Sequence, residues 1–301
     1  MRILVTGGTG LIGSALLPHL THDDITILSR NPTRAYQQLG HHMKVLPHLD
    51  EIDNFDQFDV IINLAGEPIA NKRWSQQQKQ TIQQSRWQLT QQLVDKIQAS
   101  EFPPHTFISG SAVGYYGDQQ QQDIDENLHV ADQSFTHKVC DRWEKIALSA
   151  QSDKTRVCLL RTGVVLSRHG GALTKMLPLY RLGLGGPVGN GRQYFPWIHI
   201  QDMVKGILFL IKQSHTQGAF NFTAPQAVTN REFSATLAKV LHRPHLLMTP
   251  EWVLKLGLGE AACLILDSQK VHPAKLLDAG YHFSYSSIEQ ALKDTLFDYQ
   301  N

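Results

Sequence analysis

The chain has 301 residues, 42% of them apolar and 18% charged, enough for a large core and for more than one domain. Twenty-eight basic residues against 27 acidic ones leave a net charge of +1, which excludes a nucleic-acid reader built on bulk positive charge. Three scattered cysteines (Cys140, Cys158, Cys263) exclude a disulfide framework and point to a reducing compartment, and with no C-x-x-C or H-E-x-x-H spacing no metal site is expected.

The N-terminus carries only the short apolar run Ile3-Leu4-Val5 before its first glycines, too little for a signal peptide. The longest apolar stretches, such as Ile207 to Ile211, are far short of a membrane span. A cytoplasmic protein without membrane contact is the expectation. Strands are predicted at Arg2–Thr6, Ile25–Ser29, Val60–Leu64, Thr106–Ser109 and Arg156–Arg161, all short and rich in Ile, Val and Leu. Helices are predicted between them, at Leu11–Leu20, Trp74–Ala99 and Thr136–Ala150. Such alternation predicts an α/β fold with a doubly wound parallel sheet.

Beyond about residue 166 the pattern loosens. A glycine loop at 183–189 precedes helical pieces near Asp202–Lys212, Asn230–Leu241 and Ser287–Leu296. The expected organisation is a dinucleotide-binding domain over 1–165, with a return segment at about 195–225, and a smaller α+β substrate-side domain over 166–301. Glutamine is unusually common, 27 residues, as many as Asp and Glu together; the run Gln119–Gln122 reads as a solvated loop.

The first chemistry-bearing motif is Thr6-Gly7-Gly8-Thr9-Gly10-Leu11-Ile12-Gly13, between the first strand and the first helix. Gly7 permits a tight turn, Gly10 lets backbone approach a pyrophosphate, and Gly13 lets helix and sheet pack closely. Backbone N–H groups and the helix dipole would hold the phosphates. This is the Rossmann-type dinucleotide pattern in its required strand–turn–helix context. The second strand ends at Ser29-Arg30 with no carboxylate, which favours the 2′-phosphate of NADP over the bare ribose of NAD. The plainer reading makes Arg30 a solvated residue ahead of a helix capped by Asn31 and begun by Pro32.

Other polar or glycine segments fall at the same strand ends: Asn63-Leu64-Ala65-Gly66-Glu67, Ser109-Gly110-Ser111 and Arg161-Thr162-Gly163. In an open parallel sheet ligands bind at that edge. Leu64, Ala65 and Gly66 are therefore cofactor candidates. On the long helix, Ile82, Leu89, Leu93 and Ile97 form an inward stripe, and Arg86 falls in its gap. A buried-face arginine calls for an anion or acceptors, so Arg86 joins the cofactor set, with a substrate contact as an option. A pair with Glu67, or an Arg that snorkels to water, is the structural alternative.

Together these motifs resemble the extended short-chain dehydrogenase/reductase (SDR) family. Asn63–Glu67, Ser111–Gly117, Cys140-Asp141-Arg142-Trp143-Glu144, Leu182–Pro187, Pro196–Ile200 and Ser268–Val271 are more specifically similar to an atypical SDR subgroup. Its members are usually called epimerase family proteins and end in a small domain of unknown function. The resemblance spans essentially the whole chain. It implies a nicotinamide dinucleotide cofactor and a substrate bound by the C-terminal part.

Ordinary SDR enzymes use a Ser and a Tyr-x-x-x-Lys pair. Ser111 matches the Ser. With Glu144 as anchor, Thr136 falls at the Tyr position and Cys140 at the Lys position, while Arg86 stands where the family has Asn. An unassisted phenol is a poor base at neutral pH. Tyr115 or Tyr116 could reach the cleft as an acid, and Cys140 could serve if its pKa fell. The bland alternatives are a buried apolar Cys140 and packed, hydrogen-bonded tyrosines. Lys138, two residues from Cys140, points away from it. For substrate, Arg192 is the candidate, able to grip a phosphate or carboxylate. His199 reads as structural.

Two functions stay open. One is an NADP(H)-dependent oxidoreductase or epimerase on an unidentified small molecule, with catalytic candidates Ser111, Tyr115 and Cys140. The other is an NADPH-sensing or scaffold protein without turnover. A homodimer pairing through helices 74–99 and 136–150 is also expected.

Overall fold

The computed structural model describes residues 1–41 and 43–297. Seven parallel strands form its central sheet: β1 (Arg2–Thr6), β2 (Asp24–Leu28), β3 (Lys44–Leu46), β4 (Val60–Asn63), β5 (Thr106–Ala112), β6 (Arg156–Thr162) and β7 (Gly218–Phe222). Their order is β7-β6-β5-β4-β1-β2-β3, the doubly wound pattern that reverses direction beside β1. Burial explains the composition of the central strands. Ile3, Val5, Ile62, Ile108 and Leu160 face one apolar layer. Leu4, Ile61, Phe107 and Leu159 face the other. Neither face needs polar residues, so the strands read as continuous apolar runs.

Helices cover both layers. α1 (Leu11–Leu16) continues as a short 3₁₀ turn to His19, and α6 (Ile200–Lys212) packs beside it. α3 (Gln76–Gln98) and α4 (Phe135–Leu148) pair on the opposite face. α2 (Pro32–Leu39) begins with Pro32 behind the Asn31 cap, since Asn31 Oδ1 accepts from the Arg34 N–H at 3.0 Å. Among the described residues no helix is long and apolar enough to cross a membrane, and no cluster of three or more His, Cys, Asp or Glu could hold a metal ion.

A second apolar cluster lies beyond β6. α5 (Gly171–Arg181), α7 (Asn230–Val240) and the last helix (Ile288–Phe297) enclose Leu173, Leu177, Trp197, Phe233, Leu237 and Leu292. The chain then returns to the first domain. Leu276 and Tyr281 join the core of the central sheet. Asp202, at the start of α6, receives the N–H groups of Ser284 and Tyr285 at 2.8 Å each. His199 caps α6: its Nδ1 accepts from the Gln201 N–H at 3.2 Å, leaving Nε2 to face Asp294 at 3.3 Å. Burial pushes the His199 pKa down to about 4, so the ring is neutral at physiological pH.

Candidate active site

The carboxyl ends of the strands converge on one cleft. β1 runs into Gly7, whose φ of +72° is left-handed, and a Cβ there would lie 2.6 Å from the Leu64 carbonyl carbon. Only glycine meets both demands. At Gly13 a Cβ would lie 2.4 Å from the Gly7 oxygen, so the first turn of α1 packs directly on the loop before it. Gly10 differs. It is exposed, opens α1 without a side-chain cap, and leaves a Cβ-sized space crowded only by the Gly7 oxygen at 3.2 Å. Its own N–H is bonded to Gly7, whereas the N–H groups of Leu11, Ile12 and Gly13 find no acceptor among the described residues. This is a glycine cradle before a helix N-terminus, and it fits a pyrophosphate. Thr9 is tied to α2 through its carbonyl, which accepts from Gln38 at 3.1 Å.

At the end of β2 the Asn31 N–H donates to Ser29 Oγ at 3.3 Å. Arg30 is exposed and has no hydrogen bond or ion pair among the described residues, yet its charge reaches the Glu67 carboxylate. Beyond β4, Leu64 and Ala65 donate their N–H groups to Thr6, at 3.1 Å to its carbonyl and 3.3 Å to its hydroxyl. That packs Leu64 and Ala65 directly against the glycine turn.

Arg86 enters from α3. Its Nη1 donates to the Glu67 carbonyl at 3.0 Å and the Ile82 carbonyl at 3.1 Å. The guanidinium lies 5.3 Å from the Trp143 ring and flat against Gly66, where a Cβ would come within 3.0 Å of its central carbon. No carboxylate pairs with it among the described residues, because Glu67 is engaged by Gln78 and Lys72. Burial lowers its basicity, opposed by the nearby Glu67 carboxylate.

Ser134 caps α4 by accepting from the His137 N–H at 3.3 Å. The inner face of that helix carries Thr136, Cys140, Trp143, Glu144 and Ala147. Cys140 lies within hydrogen-bonding reach of Ser111 and feels the Arg86 charge, but burial, then the Glu144 carboxylate, push its thiol up to about 12. It is a neutral thiol at physiological pH, not a nucleophile.

Ser111 Oγ donates to Glu144 Oε1 at 2.6 Å. Glu144 is in turn clasped by Arg161, Nε to Oε1 and Nη2 to Oε2, both at 2.9 Å. Arg161 Nη1 donates to the Tyr116 hydroxyl at 2.9 Å, and that hydroxyl donates to Asn221 Oδ1 at 2.7 Å. Ser111, Glu144, Arg161, Tyr116 and Asn221 are all buried. Burial opposes the Arg161 charge, yet Glu144 more than offsets that and raises its pKa. Burial pushes the Tyr116 phenol up to about 12. Tyr115 stacks on the Arg161 guanidinium at 3.6 Å from its ring, and its carbonyl accepts from His137 Nδ1 at 2.5 Å.

The fold thus brings Gly7 to Gly13, Leu64 to Gly66, Arg86, Ser111 and Cys140 to one edge, with Ser29 and Arg30 at the end of the adjacent strand. Arg192 sits on an exposed loop, and no contact joins its side chain to this cluster among the described residues. The Glu144–Arg161 pair is the feature that sequence reasoning missed. Its signals were an arginine ending an apolar strand and a glutamate on the buried face of α4.

A glycine-cradled doubly wound sheet with a serine at the end of β5 defines a dinucleotide-binding protein of the extended SDR type. The chain belongs to the NAD dependent epimerase/dehydratase family, whose sequence model matches residues 3–222; that of a domain of unknown function (DUF1731) matches 249–295. It is 39% identical to "Epimerase family protein SSP1921" of Staphylococcus saprophyticus over 97% of this chain and 98% of that one. The human epimerase family protein SDR39U1, whose crystal structure is described as "with NADPH", is similar at a TM-score of 0.90 and 35% identity, covering 98% of this chain and 99% of the other. A UDP-glucuronic acid 4-epimerase of Bacillus cereus, at a TM-score of 0.77 and 18% identity over 98% of each chain, shares the fold.

Proposed function

We propose that the chain is an NADP(H)-dependent oxidoreductase or epimerase acting on a small molecule, with residues other than a Tyr-x-x-x-Lys pair. The observation that carries this reading is the buried ion pair behind Ser111. A glutamate and an arginine enclosed together contribute little net stability, so packing alone gives no reason to keep them. They hold one hydroxyl in one orientation at the edge where a Rossmann-type sheet binds ligands. Ser111 holds the reacting group, with Cys140 and Tyr115 as the accompanying candidates.

The residues fit the cofactor. Gly10 and the free N–H groups of α1 suit a pyrophosphate, Leu64 to Gly66 suit the adenosine side, and Arg30 suits a 2′-phosphate. The human relative described with NADPH supports the same choice. When bound, the nicotinamide supplies a hydride donor or acceptor.

A sensor without turnover is the second reading. It is favoured by the neutral Cys140 thiol and by Thr136, which stand where the family has Lys and Tyr. NADPH absorbance followed against a broad metabolite panel, with Arg86→Ala and Cys140→Ala as controls, separates the two. Consumption that Arg86→Ala abolishes supports the enzyme; silence across the panel with NADPH still bound transfers the assignment to the sensor. The proposal includes a cytoplasmic location and a homodimer through α3 and α4. Cell fractionation tests the first and light scattering at micromolar concentration the second.

A further inference from the structure

We propose that the cleft recognises a small hydroxy-carboxylate, whose hydroxyl donates to Ser111 Oγ and whose carboxylate is gripped by Nε and Nη2 of Arg86. This names the substrate class of the site above, and it rests on the reading that the chain binds NADP(H) there.

The first half follows from counting protons. A serine hydroxyl has one hydrogen, and that of Ser111 goes to Glu144 at 2.6 Å. Glu144 accepts throughout: Arg161 donates to both of its oxygens, and Ser111 to one of them. Ser111 therefore offers only lone pairs to the cleft. The ligand group opposite it has to be a donor: a hydroxyl fits and a carbonyl oxygen does not.

The second half follows from the donors of Arg86. Nη1 is used on two backbone carbonyls, which fixes the plane of the guanidinium between Gly66 and Trp143. Nε and Nη2 have no partner among the described residues. They are not sealed in either, since Trp197 Nε1 is the one buried side-chain polar atom without a partner among those residues. These two N–H groups lie on one edge of the guanidinium, the fork that matches two carboxylate oxygens. A largely buried cation with no carboxylate paired to it directly gains from such an anion, since desolvation is already incurred.

Trp143 joins the halves. Arg86 lies 5.3 Å from its ring, and a Cβ on Gly110, the neighbour of Ser111, would lie 2.8 Å from the same ring. A single compact molecule can meet both.

The test is calorimetric and needs no turnover. Protein saturated with NADPH is titrated with lactate, glycerate and malate. Protein saturated with NADP⁺ is titrated with pyruvate and oxaloacetate, and methyl lactate and glycerol serve as uncharged probes. The expected result is that at least one hydroxy acid binds and that its methyl ester binds about tenfold or more weakly. Arg86→Ala should abolish hydroxy-acid binding and Arg86→Lys should restore part of it. Glu144→Gln, whose amide can donate to Ser111 and turn the serine hydrogen outward, should shift preference from hydroxy acids towards keto acids. Esters or glycerol binding as well as the acids would overturn the proposal, as would no acid binding to a protein that holds NADPH. Failure to bind NADPH at all would instead remove the reading beneath it.

Discussion

Removing the Glu144 charge probes the site where it departs most from its surroundings. Glu144 and Arg161 are each 5% exposed, joined by two hydrogen bonds of 2.9 Å. Glu144→Gln leaves the Arg161 guanidinium buried with only the Tyr116 hydroxyl and an amide oxygen as partners. Breaking a buried pair from one side costs about 3–5 kcal/mol, because the stranded charge keeps its desolvation penalty. At this chain length that corresponds to roughly 6–10 °C in melting temperature, taking about 2 °C per kcal/mol. Arg161→Met strands the carboxylate instead and should lose a similar amount. The double variant strands neither charge, so it should cost less than either single change, a coupling of at least about 3 kcal/mol. Urea unfolding followed by circular dichroism measures all four corners of this cycle. Losses that add within about 0.5 kcal/mol would refute the pairing.

Three other outcomes follow. Gly13→Ala places a methyl 2.4 Å from the Gly7 oxygen, so it should lower stability by about 1–3 kcal/mol and weaken NADPH binding, both readable in one thermal-shift titration. Cys140 should stay unmodified by iodoacetamide at pH 7.5 over hours in the folded protein and react on unfolding, since its thiol is buried and neutral; rapid alkylation counted by mass spectrometry would contradict this. His199 has a folded pKa of about 4 against about 6.5 when unfolded, so its contribution is fully present above pH 6.5 and lost as pH falls towards 4. The loss should reach about 3 kcal/mol, and His199→Gln should remove that pH dependence in denaturant titrations.

The parts of the molecule legible in the sequence are those whose cause is local. The glycine spacing, the apolar runs of β1 and β4 and the Asn31-Pro32 start of α2 each follow from neighbours a few residues away. β3 was not legible, because three residues at a sheet edge carry no period. The docking of residues 276–285 onto the first domain depends on Asp202, some eighty positions earlier, collecting three donors from that segment. The site shows the same division. Arg86 could be placed on an inward face by helical spacing alone, but its lack of a directly paired carboxylate required knowing that Glu67 turns to Gln78 and Lys72. Glu144 was visible only as a landmark beside Cys140. Its bond to Ser111 joins a helix to a strand 33 residues away, a contact that no local pattern encodes.

The central claim is that this cleft binds NADP(H) through the glycine cradle and Arg30. Fluorescence titration of the protein with NADPH and NADH, repeated on Arg30→Ala, tests it most directly. The account predicts NADPH binding at least about tenfold tighter than NADH, a gap that Arg30→Ala closes by weakening NADPH alone. Equal affinity for the two cofactors in the unmodified protein, or no binding of either, would contradict it.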